Sequence, residues 1–198
     1  AVTFPEDRLS TSLVASPYTY PYTLTPPNSR TAYALGGVGL GNAGQGLSFQ
    51  LWTAVAYPTY VELTAPNQVE PIVVLGQPDI VELTLAFDQN MNVAIAYVQY
   101  GQAKLYWFDT FIGAYTITAI SDGAISPRVT LDDRRELQTS NSDVILAYVK
   151  DDNLYFRKQR ERYLSEHLLK LNVAGRLVQM GMNTKNRLQW KIKPFRTG

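Results

Sequence analysis

Two stretches of the chain repeat one pattern of apolar and polar residues. Residues 93–108 and 143–158 each contain an apolar run that ends in Ala-Tyr-Val, then a polar turn, then Leu-Tyr followed by another aromatic residue. The two copies are about fifty residues apart, which is the period typical of one four-stranded propeller blade. The repeat therefore predicts an all-β fold of antiparallel strands in blade-like units, as a β-sandwich or a partial propeller.

The residues around these stretches alternate between apolar and polar with period two, which favours further short strands. We expect two blade-like units, at about 79–120 and 125–170, within a β-domain that covers residues 47–198 and ends in a basic hairpin. Residues 159–171 also fit a helical stripe through Leu164, Leu168 and Leu171. The repeat favours a strand here, because the counterpart in the first unit is Tyr115–Ile120.

Residues 1–46 differ in composition and are predicted to form an extended arm and a loop. Five prolines before residue 30 exclude a continuous helix and favour extended backbone. Tyr18, Tyr20 and Tyr22 alternate with small polar residues, and they fit either an arm that reaches a neighbouring subunit or a strand on the same domain. The glycine-rich stretch 36–46 is followed by a strand pattern and not by a helix, so we interpret it as a turning loop and not as a phosphate-binding site.

Composition narrows the class of protein further. The chain has no cysteine, and tyrosine, with 13 residues, is abundant. Tyrosine is favoured in strands and at protein interfaces, and the absence of cysteine excludes disulfides and thiolate chemistry. The first residues do not resemble a signal peptide, and no apolar run is long enough for a membrane-spanning helix.

Charge is distributed unevenly along the chain. Residues 1–127 carry nine acidic and three basic residues, whereas residues 167–198 carry seven basic residues and no acidic one. This asymmetry indicates an electrostatic partner, either an acidic surface of a neighbouring subunit or nucleic acid. The predicted partner-binding residues of this segment are Arg187, Lys191 and Lys193, which alternate with apolar residues. Trp190 is expected on the opposite face of the strand, with Leu188 and Ile192.

The chain contains few residues of the types that commonly carry out catalysis. His167 is the only histidine, and no serine lies in a nucleophile elbow. One histidine without cysteine makes a zinc site implausible. The pairs Asp132-Asp133 and Asp151-Asp152 lack the spacing of a calcium loop and are typical of turns. Alternation places Glu62, Glu82 and Asp109 on outward faces. We therefore predict no catalytic residues, no metal site, no cofactor and no enzymatic activity.

Three segments together resemble small structural proteins of tailed-bacteriophage tails, which are β-rich virion components with propeller-like or BNR-like units. The segments are 126–133 (SPRVTLDD), 143–158 (DVILAYVKDDNLYFRK) and 181–190, which contains Gly-Met-Asn and Arg-Leu-Gln-Trp. The resemblance covers roughly residues 70–193. It implies a tail component, located in the virion after synthesis in the host cytoplasm and present in several symmetric copies.

The expected function is therefore that of a structural protein of a phage tail, such as a neck, hub, tube or fibre-anchoring protein. Its expected partners are further copies of itself and other virion tail proteins, and a contact with DNA in a tail channel stays open. The alternative is a carbohydrate-binding module of a receptor-binding or tail-fibre apparatus, with Tyr100, Tyr106 and Trp107 as its exposed aromatic residues.

Overall fold

The computed structural model describes residues 32–42, 46–64, 72–88, 90, 92–132, 143–182 and 187–195. Of residues 32–51 and residue 182, only the backbone is described. The described residues form fourteen strands in four antiparallel sheets, and they contain no α-helix. The prediction of an all-β fold is confirmed. The arm residues Tyr18, Tyr20 and Tyr22 lie outside the described part of the chain.

Each of the first three sheets is a meander of four strands in which neighbours along the chain pair with one another. The first sheet contains β1 (Ala32–Asn42), β2 (Gly46–Ala56), β3 (Val61–Thr64) and β4 (Ile72–Leu75). The second contains β5 (Ile80–Phe87), β6 (Val93–Gln99), β7 (Gln102–Asp109) and β8 (Ala114–Ala119). The third contains β9 (Ile125–Leu131), β10 (Val144–Lys150), β11 (Asn153–Lys158) and β12 (His167–Lys170).

The fourth sheet has only two strands among the described residues, β13 (Gly175–Met182) and β14 (Leu188–Pro194). Gly175 is the first residue of β13 and pairs with Pro194 at the end of β14. A Cβ atom at this position would meet the backbone carbonyl oxygen of Lys193 and the Cα atom of Pro194, so only glycine fits without a shift.

The repeated sequence pattern forms the two central hairpins. The turn between β6 and β7 consists of Tyr100 and Gly101, with φ of 51° and 76°, and the turn between β10 and β11 consists of Asp151 and Asp152, with φ of 49° and 57°. Positive φ at both central residues is the signature of the two-residue turn that matches the twist of a hairpin. The aspartate pair at 151–152 is therefore a turn, as its residue types indicated.

The first strand of each sheet lies against the first strand of the next. β1 contacts β5, β5 contacts β9, and β9 contacts β13. Sheets in this succession pack face to face, as blades of a propeller do. Among the described residues, no comparable contact joins β13 or β14 to the first sheet. The succession is therefore open at both ends within the part of the chain that the structure describes.

Three apolar layers fill the spaces between consecutive sheets. The first layer contains Val61, Leu63, Ile80 and Ile95, and the second contains Leu105, Trp107, Leu146 and Tyr163. The third contains Val149, Leu154, Leu177 and Met180. Because adjacent residues of a strand point to opposite faces, one sheet contributes to two layers. Ile145 and Leu146 illustrate this, since Leu146 packs towards the second sheet and Ile145 towards the fourth.

The glycine-rich stretch departs from the sequence prediction. Residues 36–42 lie in β1 and pair in register with β2, for example Gly37 with Leu51 and Gly39 with Phe49, so the loop prediction is wrong for these residues. The hydrogen bonds of a ladder come from the backbone, and pairing with a long β-prone strand overrides the weak strand propensity of glycine. Residues 43–45 lie outside the described part.

The segment 159–171 combines the two interpretations that the sequence left open. Gln159–Glu161 forms one 3-10 turn, and His167–Lys170 forms strand β12, so the preference for a strand is confirmed for the latter residues. Between them, Arg162 and Tyr163 have φ of 52° and 56°, which turns the chain sharply. This sharp turn ends the 3-10 turn, and the stripe through Leu164, Leu168 and Leu171 does not form a helix.

Candidate interaction surface

The pairing of β13 with β14 separates an apolar face from a basic face on the fourth sheet. Leu177 pairs with Ile192 and Met180 pairs with Trp190, and these residues lie on the face towards the third sheet. Trp190 remains 36% exposed although it lies on this face. A sheet of two strands buries less surface against its neighbour than a sheet of four strands does. A register shift between Leu177 and Gln179 keeps Leu177 and Met180 on the same side.

The basic face is turned away from the third sheet. Arg176 pairs directly with Lys193, and Gln179 pairs with Lys191. Arg187 lies four residues before Lys191, so alternation places it on the same face. The structure thus brings the three predicted residues Arg187, Lys191 and Lys193 together with Arg176, which sequence analysis had not singled out as a partner-binding residue. The charge of Arg176 is visible in the sequence, but its position opposite Lys193 follows only from the register of the hairpin.

Two like charges stand opposite each other on this face. Cross-strand pairs of like charge are destabilising, and both Arg176 and Lys193 are exposed. Arg187 and Lys191 are also exposed, although each already makes a contact within the chain. Such a face is complementary to an anionic surface, because a nearby negative charge relieves the repulsion.

The aromatic residues named for carbohydrate binding do not form one surface. Tyr100 is 72% exposed and its hydroxyl donates to Asp79 at 2.8 Å, whereas Trp107 is only 3% exposed and its Nε1 donates to Thr118 at 3.0 Å. Tyr106 is half-buried and stacks on Tyr115. The expectation that all three are exposed is wrong, because Trp107 shares the inward face of β7 with residues 103 and 105.

Two of the three acidic residues expected on outward faces make contacts between sheets. Asp109 is 2% exposed, and its Oδ2 accepts from Arg162 Nη2 at 2.7 Å. Glu82 accepts from Arg128 at 2.5 Å, whereas Glu62 is half-buried on the outer face of β3. The prediction was wrong for Asp109, since β7 alternates and its odd-numbered residues face inward. Asp109 and Glu82 therefore connect neighbouring sheets.

Arg128 connects three sheets near their first strands. Its guanidinium contacts Glu82 of the second sheet, and its Nε donates to the carbonyl oxygen of Val178 in the fourth sheet at 3.2 Å. Arg128 itself belongs to β9 in the third sheet. The planar guanidinium has several donors in fixed directions, which suits it to such a junction.

A polar cluster centred on Glu166 was not expected from the sequence. Glu166 Oε2 accepts from the Ser121 hydroxyl at 2.6 Å and from the Tyr148 hydroxyl, and Oε1 accepts from Lys150 Nζ at 2.8 Å. Arg157 Nε donates to the Tyr148 hydroxyl at 2.9 Å, which closes the network. The residues come from separate segments, so no local motif marks them.

The cluster shifts the pKa of two of its members. Burial by itself raises the pKa of Glu166, but hydrogen bonds from Lys150, Ser121, Tyr148 and Arg157 outweigh it and lower the pKa to about 2. Burial, together with the hydrogen bond to Glu166, raises the pKa of Tyr148 to about 12. Glu166 is therefore a carboxylate and Tyr148 a neutral phenol at neutral pH. This arrangement stabilises the fold and leaves neither of these two groups with a pKa near 7 for proton transfer.

The single histidine packs against an aromatic ring and a carboxylate. The ring of His167 stacks on Phe156, and its Nε2 lies 2.5 Å from Glu161 Oε2. No group of His, Asp or Glu in the described residues is arranged to hold a metal ion. The structure also contains no helix, within those residues, that is long and apolar enough to cross a membrane.

Comparison with known proteins adds no identification. No protein-family model matches the chain, and no curated protein sequence matches it.

Proposed function

We propose that this protein is a structural subunit of a bacteriophage tail, which assembles with further copies of itself and with other tail proteins. The observation that carries the proposal is the fourth sheet, whose outward face places Arg176 beside Lys193 at one open end of the succession of sheets. The interfaces between consecutive sheets, by contrast, are filled with apolar side chains. A terminal face on which like charges lie side by side is suited to a protein that functions in an assembly.

The proposed contact joins this basic face to an acidic surface of a neighbouring subunit. The part of the chain that precedes Arg128 carries an excess of acidic residues, nine against three. A contact between unlike surfaces is heterologous, and repeated heterologous contacts close into a ring when the rotation allows it. A ring of this kind would serve as a neck, hub, tube or fibre anchor of the virion.

The resemblance of segments 126–133, 143–158 and 181–190 to tail structural proteins supports the virion location. The buried carboxylates of Asp88, Asp109 and Asp143 all accept hydrogen bonds from neighbouring residues, as structural groups do. A carbohydrate-binding function has weaker support than assembly, because Trp107 is buried and Tyr106 is half-covered.

The double charge reversal Lys191→Glu with Lys193→Glu tests the contact. We expect it to convert assembled protein at low salt to a smaller species, measured by size-exclusion chromatography with light scattering. Lys170→Glu is the matched control, since Lys170 is an exposed lysine on strand β12 of another sheet. Unchanged assembly in the double variant contradicts the proposal. Loss of assembly together with loss of binding to duplex DNA in the same variant assigns the basic face to nucleic acid instead.

A further inference from the structure

Each sheet has two edge strands. The first strands, β1, β5, β9 and β13, pack against one another. The last strands, β4, β8, β12 and β14, each have one edge whose backbone groups are not paired within the described residues. An unpaired edge can pair with another chain, and proteins usually protect such edges with short strands, bulges, charges or proline. The four edges differ in how far they are protected.

Three of the edges have such protection. β4 and β12 have four residues each, and each pairs with its inner neighbour through a register shift. β14 carries two exposed lysines and ends at Pro194. Each of these three edges therefore resists pairing with another strand.

β8 has none of these features. It has six residues, and its six pairs with β7 run from Lys104 with Ala119 to Asp109 with Ala114 without a register shift. Residues 110–119 contain no charged residue and no proline. Tyr115 and Ile117 are each 42% exposed, and Phe111 in the preceding turn is 80% exposed. A regular, uncharged strand of β-prone residues is a typical site of strand addition.

From this difference we infer that β8 is a docking edge that pairs antiparallel with β8 of a second copy of the chain. Pairing of a strand with its own copy places identical side chains near one another. Charged edges would repel each other in this arrangement, but β8 has no charged residue. A two-fold axis perpendicular to the sheet keeps Tyr115 and Ile117 of both copies on the same face, because it preserves the side of the pleat. Two four-stranded sheets then form one continuous eight-stranded sheet.

The two-fold axis lies midway between the two copies of either Thr116 or Ile117, since only these two centres pair five of the six residues of each β8. In the first case Thr116 lies opposite its own copy, and in the second case Ile117 does. Directly opposite residues of antiparallel strands have Cα atoms about 4.5–5.5 Å apart, which is within the range that a disulfide spans.

The test uses single cysteines, because the natural chain has none. We expect Thr116→Cys or Ile117→Cys to form a disulfide-linked dimer under mild oxidation, seen on a non-reducing gel at twice the 22.2 kDa mass of one chain. Leu168→Cys is the control, since Leu168 is 51% exposed on the protected edge strand β12. Ile117→Lys is expected to abolish the dimer in light scattering, while Leu168→Lys leaves it intact.

The inference rests on the self-association in the proposed function but not on the basic face of the fourth sheet. Suppose that the protein assembles, that neither β8 cysteine variant cross-links more than Leu168→Cys does, and that Ile117→Lys has no effect on mass. The docking edge is then overturned and the proposed function stands. If the wild-type chain remains a monomer at every concentration and salt, both are overturned. Larger aggregates of undefined mass in place of a dimer also contradict the two-fold pairing.

Discussion

Two tyrosines at equivalent positions of the repeat have opposite hydrogen-bonding situations. Tyr97 and Tyr148 are both fully buried, yet the hydroxyl of Tyr97 has no hydrogen-bond partner in the described structure, whereas that of Tyr148 contacts Glu166 and Arg157. Burying a polar group without a hydrogen-bond partner destabilises the folded state by the free energy of desolvation. A hydrogen bond in the folded state offsets this loss. The same side chain therefore has a different energetic role in each copy.

We expect Tyr97→Phe to leave the free energy of unfolding unchanged or to raise it by up to about 1 kcal/mol. Tyr148→Phe should lower it by about 1–3 kcal/mol, because Glu166 and Arg157 lose a partner. Urea denaturation of both variants measures the two values under the same conditions. Equal destabilisation by the two substitutions would contradict this assignment.

The low pKa of Glu166 makes stability depend on pH in the acid range. Its folded-state pKa of about 2 lies below its ordinary value of 4.5, so the carboxylate form is favoured by folding. The stabilisation is present above about pH 4.5 and is lost as the pH falls towards 2. It amounts to on the order of 3 kcal/mol for a shift of this size.

Glu166→Gln should therefore flatten the fall in the free energy of unfolding between about pH 5 and about pH 2, measured by urea denaturation at a series of pH values. Asp122→Asn is a suitable control, since Asp122 is an exposed turn residue. A pH profile of Glu166→Gln that parallels the wild type would show that another group is responsible.

The elements that sequence alone predicted well are those with strict alternation. The strands of the second and third sheets follow from apolar runs bounded by polar turns, and the repeat located both hairpins. The face of an individual residue was less predictable. Tyr106 and Trp107 are neighbours and cannot both face solvent on a regular strand, and the inward series 103, 105, 107 was the signal that identifies Trp107 as core.

The remaining features depend on contacts that no local pattern encodes. β1 is a strand because β2 pairs with it, despite its glycines. The Glu166 cluster joins side chains from several segments, and the Asp109–Arg162 pair joins residues 53 positions apart. Long-range pairing of this kind is decided by the tertiary structure and not by propensity.

Gly175 packs closely against the backbone of β14 in the fourth sheet. Gly175→Ala should destabilise the β13–β14 hairpin by about 1–3 kcal/mol, because the added Cβ meets the backbone of Lys193 and Pro194. Gly76→Ala is the control, since nothing lies within 4 Å of a Cβ atom there. Thermal unfolding followed by circular dichroism compares them, and equal melting temperatures would contradict the packing described for Gly175.

The whole molecule is a succession of four sheets that is open at both ends within the described residues. Three interfaces are apolar, and the fourth sheet presents a basic face. Repeating units that bury their faces against neighbours need a cap or a partner at each end. The basic face lies at one end of the succession, where such a partner can bind. The unprotected edge of β8 is a separate surface, at the side of the second sheet.

The mass of the purified wild-type protein in solution, measured by light scattering at low and at high salt, shows whether the chain assembles with itself. We predict a defined multiple of 22.2 kDa at low salt, and a smaller species at high salt because screening weakens the contact of the basic face. The protein could instead have the mass of one chain at every salt and protein concentration. That result would contradict self-assembly.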